Sequence, residues 1–207
     1  MNYPNFFDTI PPIFLYDPLT RILGVNSDGI IIYTYLDTVK LAGHSCPTTA
    51  GSFLMLKRGL KILYPESLPK RGDIKIELKE DAGNGSIGVV ASIASLITGA
   101  SDEKGFKGLG GNHARNNRLF FNAPIPKFMR LSRLDNGAYV DIGYDPSAVP
   151  EAPLLNALKS KVMGNIASDE EAREFGRLWQ ERVRKILIDY GEMSEIISVE
   201  AGPEGAH

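Results

Sequence analysis

The stretch of sequence that decides the fold spans residues 72–99 and reads GDIKIELKEDAGNGSIGVVASIASLITG. Residues 74–78 alternate strictly between apolar and polar side chains, which predicts a strand with one buried face. A glycine-rich turn follows at 81–85, and residues 86–98 are almost entirely small or apolar, which predicts a buried helix. Gly99 suits the position just past the end of that helix. A strand followed by a buried helix indicates a sheet covered by helices.

Two elements are predicted ahead of this stretch. Residues 30–35 form a run of β-branched and aromatic side chains after an Asp-Gly turn, and this run predicts a strand. The sequence Ser45-Cys46-Pro47 predicts a helix start, because proline is tolerated at the first helical position, where its missing N–H would have no partner. We expect this helix to run to about residue 63.

Three strands and two helices complete the predicted elements. The strands lie at 119–121, 128–134 and 138–144, and an Asp-Asn-Gly turn joins the last two as a hairpin. Two helices follow at 150–164 and 168–190, and the second has an apolar stripe at helical spacing. The predicted fold class is therefore α+β: a helix–strand–helix–three-strand mixed sheet layer with a C-terminal helical hairpin.

The same patterns divide the chain into three parts. Residues 1–20 are rich in proline and aromatic side chains and predict an irregular N-terminal arm with no regular element of its own. Residues 21–149 form the predicted α+β core. Residues 150–207 form the helical hairpin and tail, whose second helix begins with a capping box of Ser168 and Glu171.

Composition narrows the functional classes. With 43% apolar and 23% charged residues, the chain resembles an ordinary globular protein and not a disordered, collagen-like or coiled-coil one. A net charge of −2 argues against a dedicated nucleic-acid binder, which usually carries a basic excess. A single cysteine excludes an internal disulfide framework. The sequence shows neither a signal-peptide pattern nor an apolar run long enough to span a membrane, so we expect a soluble, cytoplasmic protein without a membrane partner.

The segment before the predicted helix start holds two side chains that can bind a metal. Cys46 is placed at a helix N-terminus, where the helix dipole and unpaired N–H groups favour the thiolate. His44 lies two residues away, and Zn²⁺ accepts both sulfur and imidazole ligands. On these residues alone, a buried structural cysteine beside a capping histidine is an equally good interpretation.

The motif Gly43-His44-Ser45-Cys46-Pro47 resembles the signature of the FmdE-like family, which is named after a component of formylmethanofuran dehydrogenase. Members of that family carry Gly-His-x-Cys-Pro at a junction between a strand and a helix, which is where the predicted elements place it here. Their small-residue helix ending in Thr-Gly-Cys-Thr is similar to residues 93–101. The resemblance covers roughly residues 20–145 and implies a helix–strand–helix–three-strand layer, related in shape to the catalytic domain of glyceraldehyde-phosphate dehydrogenases. It also implies a divalent transition metal, zinc first among the candidates, bound by His44 and Cys46.

Several positions depart from the family pattern. The family often has a further histidine where this chain has Ala42, an acidic residue where it has Ser92, and a second cysteine where it has Ala100. Chemistry that needs two cysteines is therefore excluded. His113, in a long glycine-rich loop over residues 101–118, is the other internal histidine, and we predict that it replaces the missing ligands. His44, Cys46 and His113 would leave a fourth zinc position open, as in catalytic sites.

Three functional interpretations remain open at this point. The first is metal-assisted chemistry on a small-molecule substrate, for which the sequence identifies no general base. The second is a non-enzymatic, dimeric accessory or metal-carrying subunit. The third is anion or nucleotide binding by the basic side chains of the glycine-rich loop, namely Lys104, Lys107, Arg115 and Arg118. A single cysteine cannot hold an iron–sulfur cluster.

The chain is also predicted to form a homodimer. The last helix carries more apolar surface than an appended helix needs, and the aromatic N-terminal arm needs a surface to cover. We expect the arm or the helices to cross between the two chains.

Overall fold

A computed structural model describes residues 3–202 of the chain. Seven strands and six α-helices occur in this range. In chain order they are β1 (Ile13–Tyr16), α1 (Pro18–Ile22), β2 (Ile30–Tyr33), α2 (Tyr35–Ala42), α3 (Pro47–Leu63), β3 (Ile74–Leu78), α4 (Ile87–Thr98), β4 (Leu119–Phe120), β5 (Met129–Arg133), β6 (Tyr139–Tyr144), α5 (Pro153–Met163), α6 (Asp169–Arg184) and β7 (Ile197–Ala201). Within residues 3–202, no helix combines the length and the apolar character needed to cross a membrane.

The main sheet has five strands in the order β4-β3-β5-β6-β7. β4 runs parallel to β3, and the remaining neighbours are antiparallel. The sheet is therefore mixed, and the chain order of α3, β3, α4 and then β4 to β6 confirms the predicted α+β class and its helix–strand–helix–three-strand layer.

One face of the sheet packs against α3 and α4. The apolar side chains of β3, which are Ile74, Ile76 and Leu78, are completely buried, whereas the alternate residues Lys75 and Glu77 are partly exposed. This is the period of two that the sequence predicts. α3 approaches the sheet closely at Gly59, where an added methyl group would lie 2.5 Å from Ile142 Cδ1 and 2.6 Å from Leu131 Cδ1.

The N-terminal region contains regular structure that the sequence does not predict. β1 pairs with β2 in a two-stranded antiparallel sheet, and a 3₁₀ turn over Asn5–Thr9 precedes it. The expectation that the first twenty residues lack a regular element is therefore wrong. Pairing with β2 satisfies the backbone N–H and C=O groups of β1. The proline-rich composition of the segment gives no sign of this pairing.

The strand predicted at 30–35 ends earlier than expected. Tyr33 is its last residue, and Thr34 caps the unpredicted helix α2. A capping box explains the change of structure. The Asp37 carboxylate accepts hydrogen bonds from Thr34 N–H and Oγ–H, both at 2.8 Å, and the Thr34 hydroxyl accepts from Asp37 N–H at 3.3 Å.

The helical hairpin of α5 and α6 is present, and the capping box of Ser168 and Glu171 begins α6 as predicted. α6 ends at Arg184 and continues as a π-helical turn over Lys185–Asp189. β7 then returns to the sheet and pairs with β6, so the C-terminal segment adds an unpredicted strand to the core.

Candidate functional site

His44 and Cys46 lie in the connection between α2 and α3. Gly43 ends α2 with a φ of +76°, the left-handed conformation that glycine adopts without strain. Cys46 is the N-cap of α3, and Pro47 occupies its first position as predicted. The two candidate ligands therefore follow a helix and not, as the sequence suggests, a strand.

The His44 ring is exposed and held in one orientation. Its Nδ1 lies 2.8 Å from the Ala42 carbonyl oxygen. A carbonyl oxygen only accepts hydrogen bonds, so Nδ1 carries the proton, and in the neutral ring Nε2 keeps its lone pair. Metal-ligating histidines typically show this arrangement, in which the second ring nitrogen donates to a carbonyl or carboxylate.

The Cys46 side chain is half-buried and caps α3. Its Sγ accepts a hydrogen bond from Thr49 N–H at 3.4 Å and lies 3.4 Å from Thr49 Oγ1. The thiol therefore takes the place that serine or aspartate usually occupies at a helix N-cap. Both candidate ligands belong to one short segment whose backbone is set by two helix ends.

Distant residues clamp the backbone of this segment. Trp179 Nε1 and Gln180 Nε2, both on α6, donate to the Ser45 carbonyl oxygen at 2.9 and 3.2 Å. On the other side of the connection, the Tyr144 hydroxyl donates to the Pro47 carbonyl oxygen at 2.7 Å. These contacts fix the position of the connection through side chains that are about a hundred residues or more away in the sequence. The sequence contains no local signal for such contacts.

Two buried tyrosines, Tyr35 and Tyr144, lie near Cys46 and hydrogen-bond to the segment that carries it. Tyr35 OH lies 2.9 Å from Ser45 Oγ. Burial raises the pKa of Tyr35, and the Ser45 hydrogen bond only partly offsets this rise. Burial also raises the pKa of Tyr144, against the opposing charge of Arg182. Both phenols therefore remain protonated at neutral pH and act as neutral hydrogen-bonding groups.

His113 lies in a part of the structure remote from this segment. Thr48 Oγ1 is 3.3 Å from Ser86 Oγ, so α3 and α4 begin at the same end of the molecule. The loop that carries His113 is anchored at the other end of α4, where Ser101 N–H donates to the Arg115 carbonyl at 2.9 Å. The twelve residues of α4 separate the two ends by about 18 Å.

The predicted set of three ligands is therefore not gathered in one place. Among residues 3–202, no group of three or more His, Cys, Asp or Glu side chains is placed to hold a metal ion. His113 is partly exposed and has a φ of +60°. His44 and Cys46 remain the pair that the chain itself brings together.

Two of the four basic side chains in the glycine-rich loop are used in ion pairs. Arg115 Nη2 lies 2.7 Å from the buried carboxylate of Asp17, and Arg118 Nη1 lies 3.4 Å from Asp73. Both arginines thus tie the loop to the core, which weakens the interpretation of the loop as an anion site.

A groove runs along α4 beside the end of α2. It consists of two adjoining cavities of about 540 and 220 Å³ that share Leu41, Gly88 and Ser92. The smaller cavity is also lined by Ala42, whose carbonyl oxygen holds the His44 ring. Space for a small molecule therefore lies beside Ala42, two residues before His44, although neither His44 nor Cys46 lines either cavity.

Comparison with known proteins finds similarity at the level of structure. No protein-family model and no curated protein matches the sequence. A crystal structure of a tungsten formylmethanofuran dehydrogenase FmdE-like protein from Syntrophus aciditrophicus is similar over 84% of this chain and 74% of that chain, with 18% sequence identity and a TM-score of 0.43. At these values the likeness assigns neither a family nor an activity to this chain.

Proposed function

We propose that the connection between α2 and α3 binds a divalent transition metal, zinc first among the candidates, through His44 Nε2 and Cys46 Sγ. The observation that carries this proposal is the hydrogen bond from His44 Nδ1–H to the Ala42 carbonyl. It leaves Nε2 with a free lone pair on an exposed ring, two residues from a thiol. Imidazole and thiolate are ligands that Zn²⁺ binds readily.

Two ligands from one chain suit a metal-carrying or accessory role better than a structural site. Structural zinc sites are closed by four protein ligands, whereas an exposed imidazole and a half-buried thiol leave positions for solvent, a small molecule or a second protein. We propose an exchangeable site of this kind, in a protein that forms a homodimer.

Metal-assisted chemistry on a small molecule is the second candidate, favoured by the groove beside Ala42. A metal held by His44 Nε2 and Cys46 Sγ would act as a Lewis acid towards an oxygen of a molecule that extends from the groove to it. The chain's own residues supply positioning: the Trp179 and Tyr144 hydrogen bonds hold the connection still.

The test is metal binding by purified protein, followed with cobalt as a spectroscopic probe for zinc. A thiolate-to-cobalt charge-transfer band should appear in the wild-type protein and disappear in Cys46→Ser. His44→Gln should weaken zinc binding at least tenfold in competition with a chelator. Acidification should release the metal, because protons compete for both ligands. Wild-type protein that takes up neither metal would refute the proposal.

His113→Ala separates the two-ligand site from the three-ligand set predicted from the sequence. The three-ligand set requires this substitution to weaken zinc binding by about ten- to a hundredfold. Because the His113 loop is anchored at the far end of α4, we expect affinity within about twofold of wild type. A loss as large as that of His44→Gln would show that the loop folds over the site and would overturn the two-ligand site.

A further inference from the structure

A second cavity lies on another side of the molecule, between β1 and the C-terminal half of α3. Its volume is about 230 Å³. Apolar and basic side chains line it together, chiefly Ile13, Phe14, Lys57, Leu60, Lys61 and Tyr64. None of these residues belongs to the metal-binding proposal.

The walls of this cavity are apolar. Ile13 and Leu60 are 5% and 1% exposed, and Phe14 is 45% exposed and faces solvent with part of its ring. Ligand pockets for drug-sized molecules measure about 300–1,000 Å³. A cavity of this size therefore suits a smaller apolar body, such as one aromatic ring or a chain of a few carbons.

Two cations on one face of α3 line this cavity. Lys57 and Lys61 are four residues apart, so their side chains lie side by side on the helix. Within residues 3–202, neither ammonium group makes an ion pair or a hydrogen bond. Burial lowers the pKa of Lys57; the charge of Glu192 opposes this shift, and the charge of Lys61 adds to it. Glu192 supplies part of the opposing charge at Lys57, and an anion between the two ammonium groups would add the direct ion pair that neither makes within residues 3–202.

Tyr64 also lines the cavity. Tyr64 is 6% exposed, and its hydroxyl oxygen is buried with no hydrogen-bond partner in the described part of the chain. Burial raises the pKa of Tyr64 to about 12, partly offset by the charge of Arg133 and, more weakly, by the nearby backbone of Lys70. The phenol is therefore protonated, and its hydroxyl is closed off from the space that a ligand would occupy. Tyr64 contributes its neutral ring to the cavity wall.

We propose that this cavity binds a small organic acid with its carboxylate between Lys57 and Lys61 and its apolar body against Ile13 and Leu60. Charge complementarity decides the class of ligand, since the lining residues include two unpaired ammonium groups and no carboxylate. This inference is independent of the metal site.

Titration of the full chain with benzoate tests the proposal, with the methyl NMR signals of Ile13 and Leu60 as reporters. Benzoate should shift both signals to saturation, with signals outside the cavity unchanged. Benzyl alcohol, which has the same ring without the charge, should bind at least tenfold more weakly, and benzylamine should give no saturable shift. Equal binding of benzoate and benzyl alcohol, or no saturable shift with benzoate, would overturn the proposal.

Single substitutions then assign the contacts. Lys57→Gln and Lys61→Gln should each weaken benzoate binding at least fivefold. Lys159→Gln, on the exposed side of α5, is the matched control and should leave benzoate affinity unchanged. The methyl spectrum of each free variant reports whether it is folded. If the folded Lys57→Gln and Lys61→Gln proteins bind benzoate as tightly as wild type does, the cavity recognises only the apolar ring. That result would refute the proposed site.

Discussion

Asp17 joins the N-terminal region to two arginines elsewhere in the fold. Its carboxylate is 2% exposed and lies 2.9 Å from Arg71 Nη1 and 2.7 Å from Arg115 Nη2. It also accepts a hydrogen bond from Leu19 N–H at 2.9 Å and so caps α1. Burial alone would raise the pKa of Asp17, but the hydrogen bond from Arg71 and the charges of both arginines outweigh it and lower the pKa.

Asp17→Asn should lower the free energy of unfolding by about 3–5 kcal/mol, because it leaves two partly buried guanidinium groups without their counter-charge. A carboxylate with a lowered pKa stabilises the fold above its unfolded pKa of about 3.9 and loses this effect as the pH falls through the folded pKa. Urea unfolding at pH 7 and at decreasing pH measures both effects. Asp8→Asn, at an exposed position, is the control, and equal stability of the two variants would contradict the assigned role.

Tyr64 and Tyr144 give opposite predictions for the same substitution. Tyr64→Phe removes a hydroxyl that has no partner among residues 3–202, so in the absence of ligand the free energy of unfolding should stay constant or rise by up to about 1 kcal/mol. Tyr144→Phe removes the donor to the Pro47 carbonyl and should cost about 1 kcal/mol. Thermal unfolding of both variants tests the pair. A loss of stability in Tyr64→Phe would reveal a partner for its hydroxyl.

At the level of elements, substituting alanine for two helical glycines separates the effect of close packing on stability from the effect of helix propensity. A methyl group at Gly51 of α3 would overlap the Tyr144 ring, whereas one at Gly176 of α6 would meet no described atom within 4 Å. Gly51→Ala should therefore lower the free energy of unfolding by about 1–3 kcal/mol, because overpacking outweighs the gain in helix propensity. Gly176→Ala should raise it by about 0.5–1 kcal/mol. Denaturant unfolding of the two variants compares them, and destabilisation of both would refute the contrast.

The elements with complete local signals are the ones that the sequence predicts. β3 has its alternating pattern, α4 has its small apolar run and its terminal glycine, and α3 has proline at its first position. The missed strands β1 and β7 are four and five residues long and depend on pairing with β2 and β6. Their backbone hydrogen bonds come from partners that a local pattern does not reveal. The sequence does not predict α2, because its capping box directly follows the run of β-branched and aromatic residues that predicts a strand.

At the scale of the whole molecule, the candidate site could be predicted only as far as it is local. His44 and Cys46 are close in the sequence and are identified from it, although their partnership with a metal stays a prediction. The clamp from Trp179 and Gln180 spans 134 and 135 residues. The position of the His113 loop is set by the Asp17–Arg115 pair, across 98 residues. Contacts at such separations follow from the tertiary fold, which no single motif encodes.

The homodimer is the last prediction, and the structure indicates which part of the chain would form it. The N-terminal arm packs on its own core, with Phe7 buried and its ring centroid 5.0 Å from that of Tyr35, so the arm is not free to cross to a partner. The helical hairpin instead exposes three apolar side chains, Leu154, Met163 and Ile166, at 50%, 70% and 75%. Leu154 and Met163 lie at opposite ends of α5, whereas Met163 and Ile166 are only three residues apart. We therefore centre the predicted contact between chains on Met163 and Ile166.

Sedimentation at micromolar concentration should therefore give twice the chain mass of 22.6 kDa. Ile166→Asp should shift the protein towards the monomer, because a buried carboxylate without a partner opposes association, whereas Arg173→Asp on the exposed side of α6 should leave the dimer intact. The far-ultraviolet circular dichroism of both variants should match that of the wild type, since Ile166 lies between the helices and outside the core. A wild-type protein that sediments as a monomer contradicts the prediction. A dimer that Ile166→Asp leaves unchanged would place the contact on another surface than the hairpin.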